Sequence, residues 1–507
     1  MSHSNPEHTD ILVVGAGISG IGLAHYLQKM QPHKRFVILE ARESIGGTWD
    51  LFRYPGIRSD SDLFTFGYEF KPWVDKQAIA SADKILAYMR ETVAENEIAP
   101  HIRFHQRVVS ASWSSEKARW TVEIAQGDSG ERRVMTCNWL FSAAGYYRYD
   151  EGYTPHFEGL EHFKGTVIHP QHWPEDLETH GKRIVVIGSG ATAVTLVPAL
   201  AKKAAHVTQL QRTPTYVMSL PEQDPIANLL RKLLPAPLAY ALTRRKNIAL
   251  ARGIWRFCQR FPLAARRFIR WANRRSLPEG YPVDEHFNPP YNPWDQRLCA
   301  VPDGDLFKAI AAGKASIVTD RIETITERGI TLTSGKMLEA DIIVTATGLN
   351  LQLFGGAKLQ VDGRPIDFSK HVAFKGMMLN DLPNFAFAIG YTNSSWTLKV
   401  GLVCEHFCRI LAHMDQTQTH ICNPVVPSAE METRPILDFG AGYVQRAMSL
   451  LPRQGLQAPW TMTMNYYDDL RILRKGPVAD DCLHFYSPTH TSSQTPFSTT
   501  PALGVAQ

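Results

Sequence analysis

Two glycine-rich loops, each directly after a short apolar run, place the strongest constraint on how this chain can fold. The first is GAGISG at residues 15–20, after residues 11–14, and the second is GSGATA at residues 188–193, after residues 183–187. Glycines in a strand–loop–helix unit allow a tight turn and let backbone approach a pyrophosphate, which the helix N-terminus then favours. The spacing therefore predicts two Rossmann-like units that each hold a dinucleotide.

The residue at the end of the second strand of each unit indicates which dinucleotide it holds. Glu40 follows the apolar run 36–39, about 20 residues beyond the first loop, where a carboxylate can accept hydrogen bonds from ribose hydroxyls. Arg212 follows the corresponding run 207–210 in the second unit. An arginine presents a planar fork to a 2′-phosphate, so the second unit is predicted to prefer NADPH over NADH.

A third motif lies between the two loops, in residues 163–174. Phe163, Gly165, His169, Trp173 and Pro174 have the spacing F-x-G-x-x-x-H-x-x-x-W-P. This segment resembles the fingerprint of type I Baeyer-Villiger monooxygenases, flavoproteins that use FAD and NADPH. Residues 46–60, with GGTW, then YPG and an aspartate, resemble the other long fingerprint of that family, and residues 53–63 with 291–297 are most similar to its ethionamide-activating branch.

The resemblance implies a set of site residues. For FAD it implies Gly15, Gly17, Ser19, Gly20, Glu40, Gly47, Thr48, Trp49, Tyr54, Asp60 and Val108. For NADP it implies Gly188, Ser189, Gly190, Ala191, Thr192, Arg212 and Thr213. Arg297 is implied as the catalytic positive charge and Asp60 as the carboxylate that orients it, whereas His169 receives a positional role in the interdomain linker. Gln296 is a departure, because many members have a lysine there as a second phosphate contact.

The implied fold is α/β and glutathione-reductase-like: two Rossmann-like domains, with the NADP domain inserted in a split FAD domain and carrying a helical insertion. A chain of 507 residues suits two or three domains. The predicted parts are the FAD domain at 1–145 and 341–485, the NADP domain at 146–340 with a basic helical insertion at 225–290, and a disordered tail rich in Ser, Thr and Pro at 486–507.

The implied reaction joins two half-reactions. NADPH reduces FAD, and a C4a-peroxyflavin then inserts one oxygen atom of O2 beside a ketone carbonyl to give an ester or lactone, with sulfide oxidation as a companion activity. A flavin-containing monooxygenase acting mainly on sulfur or nitrogen is the alternative. A non-catalytic flavin-binding membrane module would leave Arg297 and both fingerprints unused. A flavin disulfide reductase would need a reactive cysteine pair beside the flavin, and the sequence contains no such pair.

The cysteines and the first ten residues limit which other classes of protein the sequence fits. The seven cysteines are scattered and contain no C-x-x-C pair, which argues against a disulfide scaffold, a zinc site and a redox dithiol, and no metal is expected. Cys404 and Cys408 are interpreted as core residues of a helix. Residues 1–10 are polar and no apolar run is long enough to span a bilayer. We therefore expect a cytoplasmic protein.

Residues 225–278 differ in composition from the rest of the chain. They contain thirteen Lys and Arg and no Asp or Glu, so the rest of a chain with net charge +5 carries −8. Apolar residues such as Leu250, Ile254 and Phe261 recur at helical spacing, which predicts helices with an apolar and a basic face. A cap over the substrate entrance with solvated charges is the favoured interpretation. Peripheral membrane contact is the second, and nucleic acid ranks lower because no binding module accompanies the charge.

Overall fold

The computed structural model describes residues 6–127, 129–296, 298–428, 430–437 and 440–488. Its strands are β1 (Glu7–Val14), β2 (Phe36–Leu39), β3 (Ile102–Arg103), β4 (Gln106–Ser114), β5 (Arg119–Gln126), β6 (Glu131–Ser142), β7 (Tyr147–Gly152), β8 (Thr166–Ile168), β9 (Arg183–Ile187), β10 (His206–Gln211), β11 (Tyr216–Leu220), β12 (Leu298–Pro302), β13 (Ala315–Thr319), β14 (Ile322–Thr326), β15 (Gly329–Leu332), β16 (Met337–Glu339), β17 (Ile342–Thr345), β18 (Leu349–Leu351), β19 (Lys358–Val361), β20 (Arg364–Pro365), β21 (Ala373–Phe374), β22 (Met378–Leu379), β23 (Phe385–Phe387), β24 (Ile421–Pro424), β25 (Thr433–Pro435), β26 (Arg453–Gly455) and β27 (Leu483–Tyr486). Its α-helices are α1 (Ile18–Met30), α2 (Thr48–Leu51), α3 (Leu63–Phe66), α4 (Ala82–Glu95), α5 (Ala191–Leu200), α6 (Pro225–Leu233), α7 (Ala236–Arg260), α8 (Pro262–Ser276), α9 (Val283–His286), α10 (Asp305–Ala311), α11 (Trp396–Thr417), α12 (Gly442–Ala447) and α13 (Tyr466–Asp469).

The first domain is built on a large sheet with the strand order β20-β19-β4-β5-β6-β1-β2-β3, and β23 also pairs with β6. The central strand β1 lies parallel to both β2 and β6. Ile11 and Val13 pack into the core on one face of this sheet and Leu12 into the core on the other. A strand buried on both faces reads as a continuous apolar run, which explains the sequence that precedes the first glycine loop.

The second domain is a parallel sheet in the order β13-β10-β9-β17-β8. All its strands come from residues 166–345, between the two segments that build the first sheet. The predicted architecture, a dinucleotide-binding domain inserted in another one, is therefore confirmed. The predicted boundary at 341 lies too early, because β17 (Ile342–Thr345) pairs with β8 and β9 of the second sheet. An apolar strand fits either sheet by sequence, and only its partners decide.

The two crossings between the domains lie side by side. The outgoing segment forms β7 and the returning segment forms β18, and these strands pair antiparallel. The domains are thus joined by a two-stranded ribbon, so any relative motion of the domains must bend or twist this ribbon.

The helix that carries Cys404 and Cys408 is α11, which begins at Trp396. Cys404 and Cys408 are fully buried on this helix, as predicted for core residues, and burial raises the pKa of both thiols. The predicted tail at 486–507 lies outside the described residues from 489 onward, and Tyr486 ends β27, which pairs with β24.

The basic insertion is helical, as predicted. Helices α6 to α9 span most of 225–290, α6 packs on α7, and α7 packs on α8. The insertion lies in sequence between β11 and β12, yet α7 packs against α3 of the first domain while α8 packs on β11. None of the described helices is both long enough and apolar enough to cross a bilayer.

Candidate active site

The first glycine loop requires glycine at two positions for reasons internal to the protein. Gly15 has a φ of +101°, and a Cβ there would lie 2.9 Å from the carbonyl oxygen of Ala143. A Cβ on Gly20 would lie 2.0 Å from the carbonyl oxygen of Gly15. Any side chain at either position would therefore break the turn or separate α1 from β1. Gly20 serves this packing and is absent from the described residues that line the cavity.

Gly17 is a glycine for a different reason. It precedes α1 with an extended backbone, no side chain caps the helix start, and a Cβ there would meet its nearest atom at 3.8 Å. The protein itself would accommodate a methyl group at this position. The uncapped helix N-terminus borders the cavity together with Gly17 and Ser19, so this space suits a phosphate.

Glu40 is fixed at the end of β2 and lines the same cavity. Its carboxylate accepts hydrogen bonds from the backbone N–H groups of Ala16, at 2.8 Å, and Arg42, at 3.0 Å. A carboxylate can accept about four hydrogen bonds, so capacity for ribose hydroxyls is left. Val108, the predicted adenine contact, is buried at the cavity wall next to β2.

Two buried polar atoms support a ligand in this part of the cavity. Gln106 Oε1 and Asn393 Oδ1 are buried without a hydrogen-bond partner among the described residues, and both side chains line the cavity. Gln106 lies two residues before Val108, whereas Asn393 lies just before α11. Because buried acceptors normally have partners, these two atoms fit a polar cofactor that extends between them.

Residues 46–49 form the opposite wall of the first loop. A Cβ on Gly47 would lie 3.3 Å from the Cα of Gly17, so the two backbones face each other closely. The Thr48 hydroxyl is 3.3 Å from the Tyr149 hydroxyl, and Trp49 packs edge-on against Phe66. All three predicted residues, Gly47, Thr48 and Trp49, line the cavity.

The helix α11 joins this wall through Trp396, which sequence reasoning did not assign to the site. Its indole N–H donates to the Ser19 hydroxyl at 3.0 Å, and its ring stacks on Tyr146. The start of α11 is thereby held against the first glycine loop. The Asn393-Ser-Ser-Trp396 junction was the available signal.

Tyr54, which is predicted to contact FAD, lines the cavity and packs on the side of the second domain. Its hydroxyl hydrogen-bonds Thr192 at the start of α5, its ring packs in the second domain's core, and burial raises its pKa to about 12. A Cβ on the nearby Gly56 would lie 2.7 Å from Ala199 Cβ of the same helix. The loop after Trp49 therefore crosses to α5, which a linear spacing match does not reveal.

The second glycine loop repeats the construction of the first. Gly188 has a φ of +140°, and a Cβ there would lie 2.3 Å from the carbonyl oxygen of Ala346. Gly190 precedes α5 without a side-chain cap, and a Cβ on it would meet nothing within 4 Å. The Ser189 hydroxyl donates to the carbonyl of Thr213 at 2.9 Å, which ties the loop to the end of β10. The predicted NADP residues, including Ala191 and Thr192, all line the cavity.

A second arginine stands beside Arg212. Arg321 follows β13, which is the neighbour of β10 in the sheet. Arg212 and Arg321 are both exposed and both line the cavity. Neither has a carboxylate partner among the described residues. Sequence reasoning missed Arg321 because only the sheet order brings the ends of β10 and β13 together.

We expect both arginines to contribute to the preference for NADPH. Arg212→Ala should raise the KM for NADPH about tenfold and the Arg212→Ala/Arg321→Ala pair about a hundredfold, since each charge-assisted contact contributes about 1.5 to 3 kcal/mol. The KM for NADH should change less than about twofold. Steady-state kinetics with both nucleotides measures this, with Arg328→Ala on the β14–β15 turn as control. A double variant that keeps its NADPH preference would place the phosphate site elsewhere.

The central fingerprint, residues 163–174, does not line the cavity. It lies next to the ribbon of β7 and β18 that joins the two domains. Residues 166–168 form β8, the edge strand of the second sheet. A Cβ on Gly165 would lie 2.4 Å from the carbonyl oxygen of Asp341, and Phe163 packs on the core beneath it. Trp173 packs against the core around α5. None of the described residues that line the cavity belongs to this fingerprint.

His169 connects the fingerprint to both interdomain crossings. Its Nδ1 accepts from the Gln171 backbone N–H at 3.2 Å, so Nε2 carries the proton and donates to the Gly348 carbonyl at 3.1 Å. A Cβ on Gly152 would lie 1.9 Å from the imidazole ring, which therefore packs flat on β7. Burial lowers the pKa of His169, which keeps it neutral at pH 7. This geometry supports a positional role.

We expect His169→Ala to lower stability by about 1 to 3 kcal/mol, because two hydrogen bonds are lost, and to increase the NADPH consumed per product formed. The contribution of His169 should be complete above its unfolded pKa of about 6.5 and be lost as the pH falls through its lower folded pKa. Thermal melts between pH 5 and 8 and a product-to-NADPH ratio measure both effects. His172→Ala, an exposed histidine of the same segment, should change neither. Loss of turnover without any change in stability or coupling would indicate a proton-transfer role.

Both glycine loops face one cavity of about 1320 Å³. Its wall also includes Asp60, Gln296 and Leu298. Arg297 stands between the last two in sequence and lies outside the described residues, so its catalytic role stays a prediction. The cavity nevertheless places both nucleotide loops, the predicted orienting carboxylate and the residues flanking Arg297 around a common space.

A family model described as flavin-binding monooxygenase-like matches residues 68–355, more than half of the chain. The chain belongs to the flavin-binding monooxygenase-like family. An NAD(P)-binding Rossmann-like domain model also matches residues 13–72 of this flavin-binding monooxygenase-like protein, which include the first glycine loop.

Two relatives and one solved structure extend the assignment. The family member described here is 53% identical over 480 residues to the FAD-containing monooxygenase EthA of Mycobacterium tuberculosis, covering 94% of this chain and 98% of the relative. It is 48% identical over 490 residues to the probable FAD-binding monooxygenase AlmA of Acinetobacter baylyi, with 96% and 97% coverage. An oxidized steroid monooxygenase bound to NADP matches 95% of this chain and 100% of its own with a TM-score of 0.74 at 21% identity, which confirms the fold. The predicted membership of a flavoprotein monooxygenase family is confirmed.

Proposed function

We propose that this protein is an FAD- and NADPH-dependent Baeyer-Villiger monooxygenase that inserts one oxygen atom of O2 next to the carbonyl of a small ketone to give an ester or lactone. The supporting observation is the cavity shared by both glycine loops, the α11 N-terminus and Asp60. A cavity common to both nucleotide sites is what hydride transfer between two cofactors requires. Sulfides are expected as secondary substrates.

Bound FAD supplies oxygen activation with electrons from NADPH, and the chain's own residues arrange and stabilise the reactants. The first loop and Glu40 hold the FAD pyrophosphate and ribose. The second loop, with Arg212 and Arg321, holds NADP. Arg297 supplies a fixed positive charge for the negative charge that develops on the ketone oxygen, and Asp60 orients it.

Product analysis on linear, cyclic and aromatic ketones plus one sulfide tests this proposal. Ester or lactone formed in proportion to NADPH consumed supports it, whereas sulfoxide from the sulfide with no ester from any ketone would favour a monooxygenase of heteroatoms. A purified protein that binds no FAD would contradict both. A cytoplasmic location stays a prediction from the sequence.

A further inference from the structure

The helical insertion exposes large apolar side chains to an unusual extent. Of the 21 large hydrophobic residues exposed in the described chain, twelve lie between residues 226 and 271, on or next to α6, α7 and α8. Scattered exposed apolar residues are ordinary, but a concentration of them marks an interaction surface. On α7 and its C-cap they include Leu250, Ile254, Phe257 and Phe261, whose three- and four-residue spacing places them on one side of the helix.

The first half of α7 is held against the first domain by polar contacts. Arg244 is buried and one of its guanidinium nitrogens donates to the carbonyls of Phe64, at 2.9 Å, and Gly67, at 2.8 Å. Asn247 donates to Asp62 at 2.9 Å on the same side. Asn247, Leu250, Ile254 and Phe257 follow one another at three- and four-residue spacing and so share one side of α7. The first domain covers this side at Asn247, whereas Leu250, Ile254 and Phe257 further along the helix are exposed, so the contacts of the first half of α7 leave the apolar second half at the surface.

Positive charge surrounds this apolar surface. The thirteen basic residues of 225–278 are accompanied by no acidic residue in the segment. Six of them are exposed and have no carboxylate partner among the described residues: Lys232, Arg245, Arg256, Arg260, Arg267 and Arg275. Two of these lie over exposed aromatic rings, Arg260 at 5.5 Å from the Phe261 centroid and Arg275 at 5.1 Å from the Trp271 centroid. Guanidinium groups beside apolar rings suit the boundary between lipid headgroups and acyl chains.

The charge also argues against two other occupants. A second copy of the chain, packed through the same surface, would bring one strongly positive face against another, which like-charge repulsion opposes. A nucleic acid would match the charge but leave the exposed leucines and phenylalanines without an apolar partner. An anionic bilayer satisfies both properties, because it offers negative headgroups above a hydrocarbon layer.

We propose that α6, α7 and α8 form a peripheral membrane-binding surface that lies in the headgroup layer of an anionic bilayer. The apolar side chains of α7 enter the acyl boundary and the unpaired arginines contact lipid phosphates. A cap over the substrate entrance with solvated charges is the alternative that the sequence favoured, but it leaves the exposed side chains of Leu250, Ile254 and Phe257 without an apolar partner. The proposal does not depend on the reaction catalysed.

Sedimentation of the full-length, FAD-loaded protein with vesicles tests the proposal. We expect binding to phosphatidylcholine vesicles that contain phosphatidylglycerol, weaker binding to phosphatidylcholine alone, and a decline as salt rises. Leu250→Ser/Ile254→Ser/Phe257→Ser should reduce partitioning at least about tenfold. Arg256→Gln/Arg267→Gln should reduce it about fivefold per charge at low salt.

The control is Leu450→Ser/Leu456→Ser, which alters two exposed leucines outside the insertion and should leave binding unchanged. Flavin absorbance and NADPH oxidation, which these surface variants should retain, report that each protein is folded. Absence of binding to anionic vesicles would overturn the proposal, as would binding that the triple serine variant leaves intact. A dimer in sedimentation velocity, lost in that variant while vesicles do not bind, would assign the surface to a second copy. Binding to duplex DNA without vesicle binding would assign it to nucleic acid.

Discussion

Arg297→Ala is expected to abolish ester formation while FAD binding and hydride transfer from NADPH stay measurable. A guanidinium keeps its charge at any working pH, and a fixed charge next to a developing oxyanion commonly accounts for about 10²- to 10³-fold in rate. Removing it should therefore lower the rate of product formation at least that much. Gas-chromatographic product analysis, together with stopped-flow reduction of the flavin by NADPH, separates the two half-reactions.

Three further variants locate the effect. Arg297→Lys keeps a charge without the planar fork and should retain partial activity, and Asp60→Ala should lower turnover less than Arg297→Ala because it removes support and not the charge itself. Gln296→Ala, the cavity-lining neighbour in sequence, should retain turnover. Near-wild-type ester formation by Arg297→Ala would show that the active site is placed wrongly.

Gly17→Val is expected to give a folded protein that is colourless. The cavity is open at this position, where the nearest atom to a Cβ is 3.8 Å away, and the backbone φ of −78° is accessible to valine. The side chain would instead occupy the space where the pyrophosphate approaches the helix, so FAD should be lost while the fold persists. The visible absorbance of oxidised flavin measures how much FAD is bound, and far-UV circular dichroism measures whether the fold persists.

Gly190→Val is the matched control, since Gly190 occupies the same place before α5 with a φ of −79°. It should keep FAD and lose NADPH binding, so that the protein stays yellow but is reduced slowly by NADPH. Gly15→Val, with its positive φ and its contact with Ala143, should lose both the flavin and much of its stability. If Gly17→Val retains stoichiometric FAD, the first loop does not hold the pyrophosphate.

Motifs with short spacing could be interpreted correctly from the sequence because backbone geometry is local. The glycines of both loops, Glu40 after β2 and Arg212 after β10 all lie where strand–loop–helix spacing predicts. The fingerprint between the two loops identified the family, and the resemblance to that family implied the inserted-domain architecture. These properties depend on separations of a few residues, which the chain itself fixes.

Contacts between distant segments were decided by the tertiary structure. Tyr54 lies against α5, because the loop that carries it crosses between the domains. Arg321 joins Arg212, because β13 is the neighbour of β10. β17 belongs to the second sheet, because β8 and β9 provide its partners.

The helical insertion is the clearest case in which the sequence predicts an element but not its contacts. Its helices, its charge and the apolar side of α7 could all be predicted from a 3.6-residue period. Periodicity specifies that a helix has two sides, but not which of them meets the protein. Which part of the helix is covered depends on the carbonyls of Phe64 and Gly67, about 180 residues away, which bind Arg244 and hold the first half of α7 against the first domain, while Leu250, Ile254 and Phe257 in the second half are exposed.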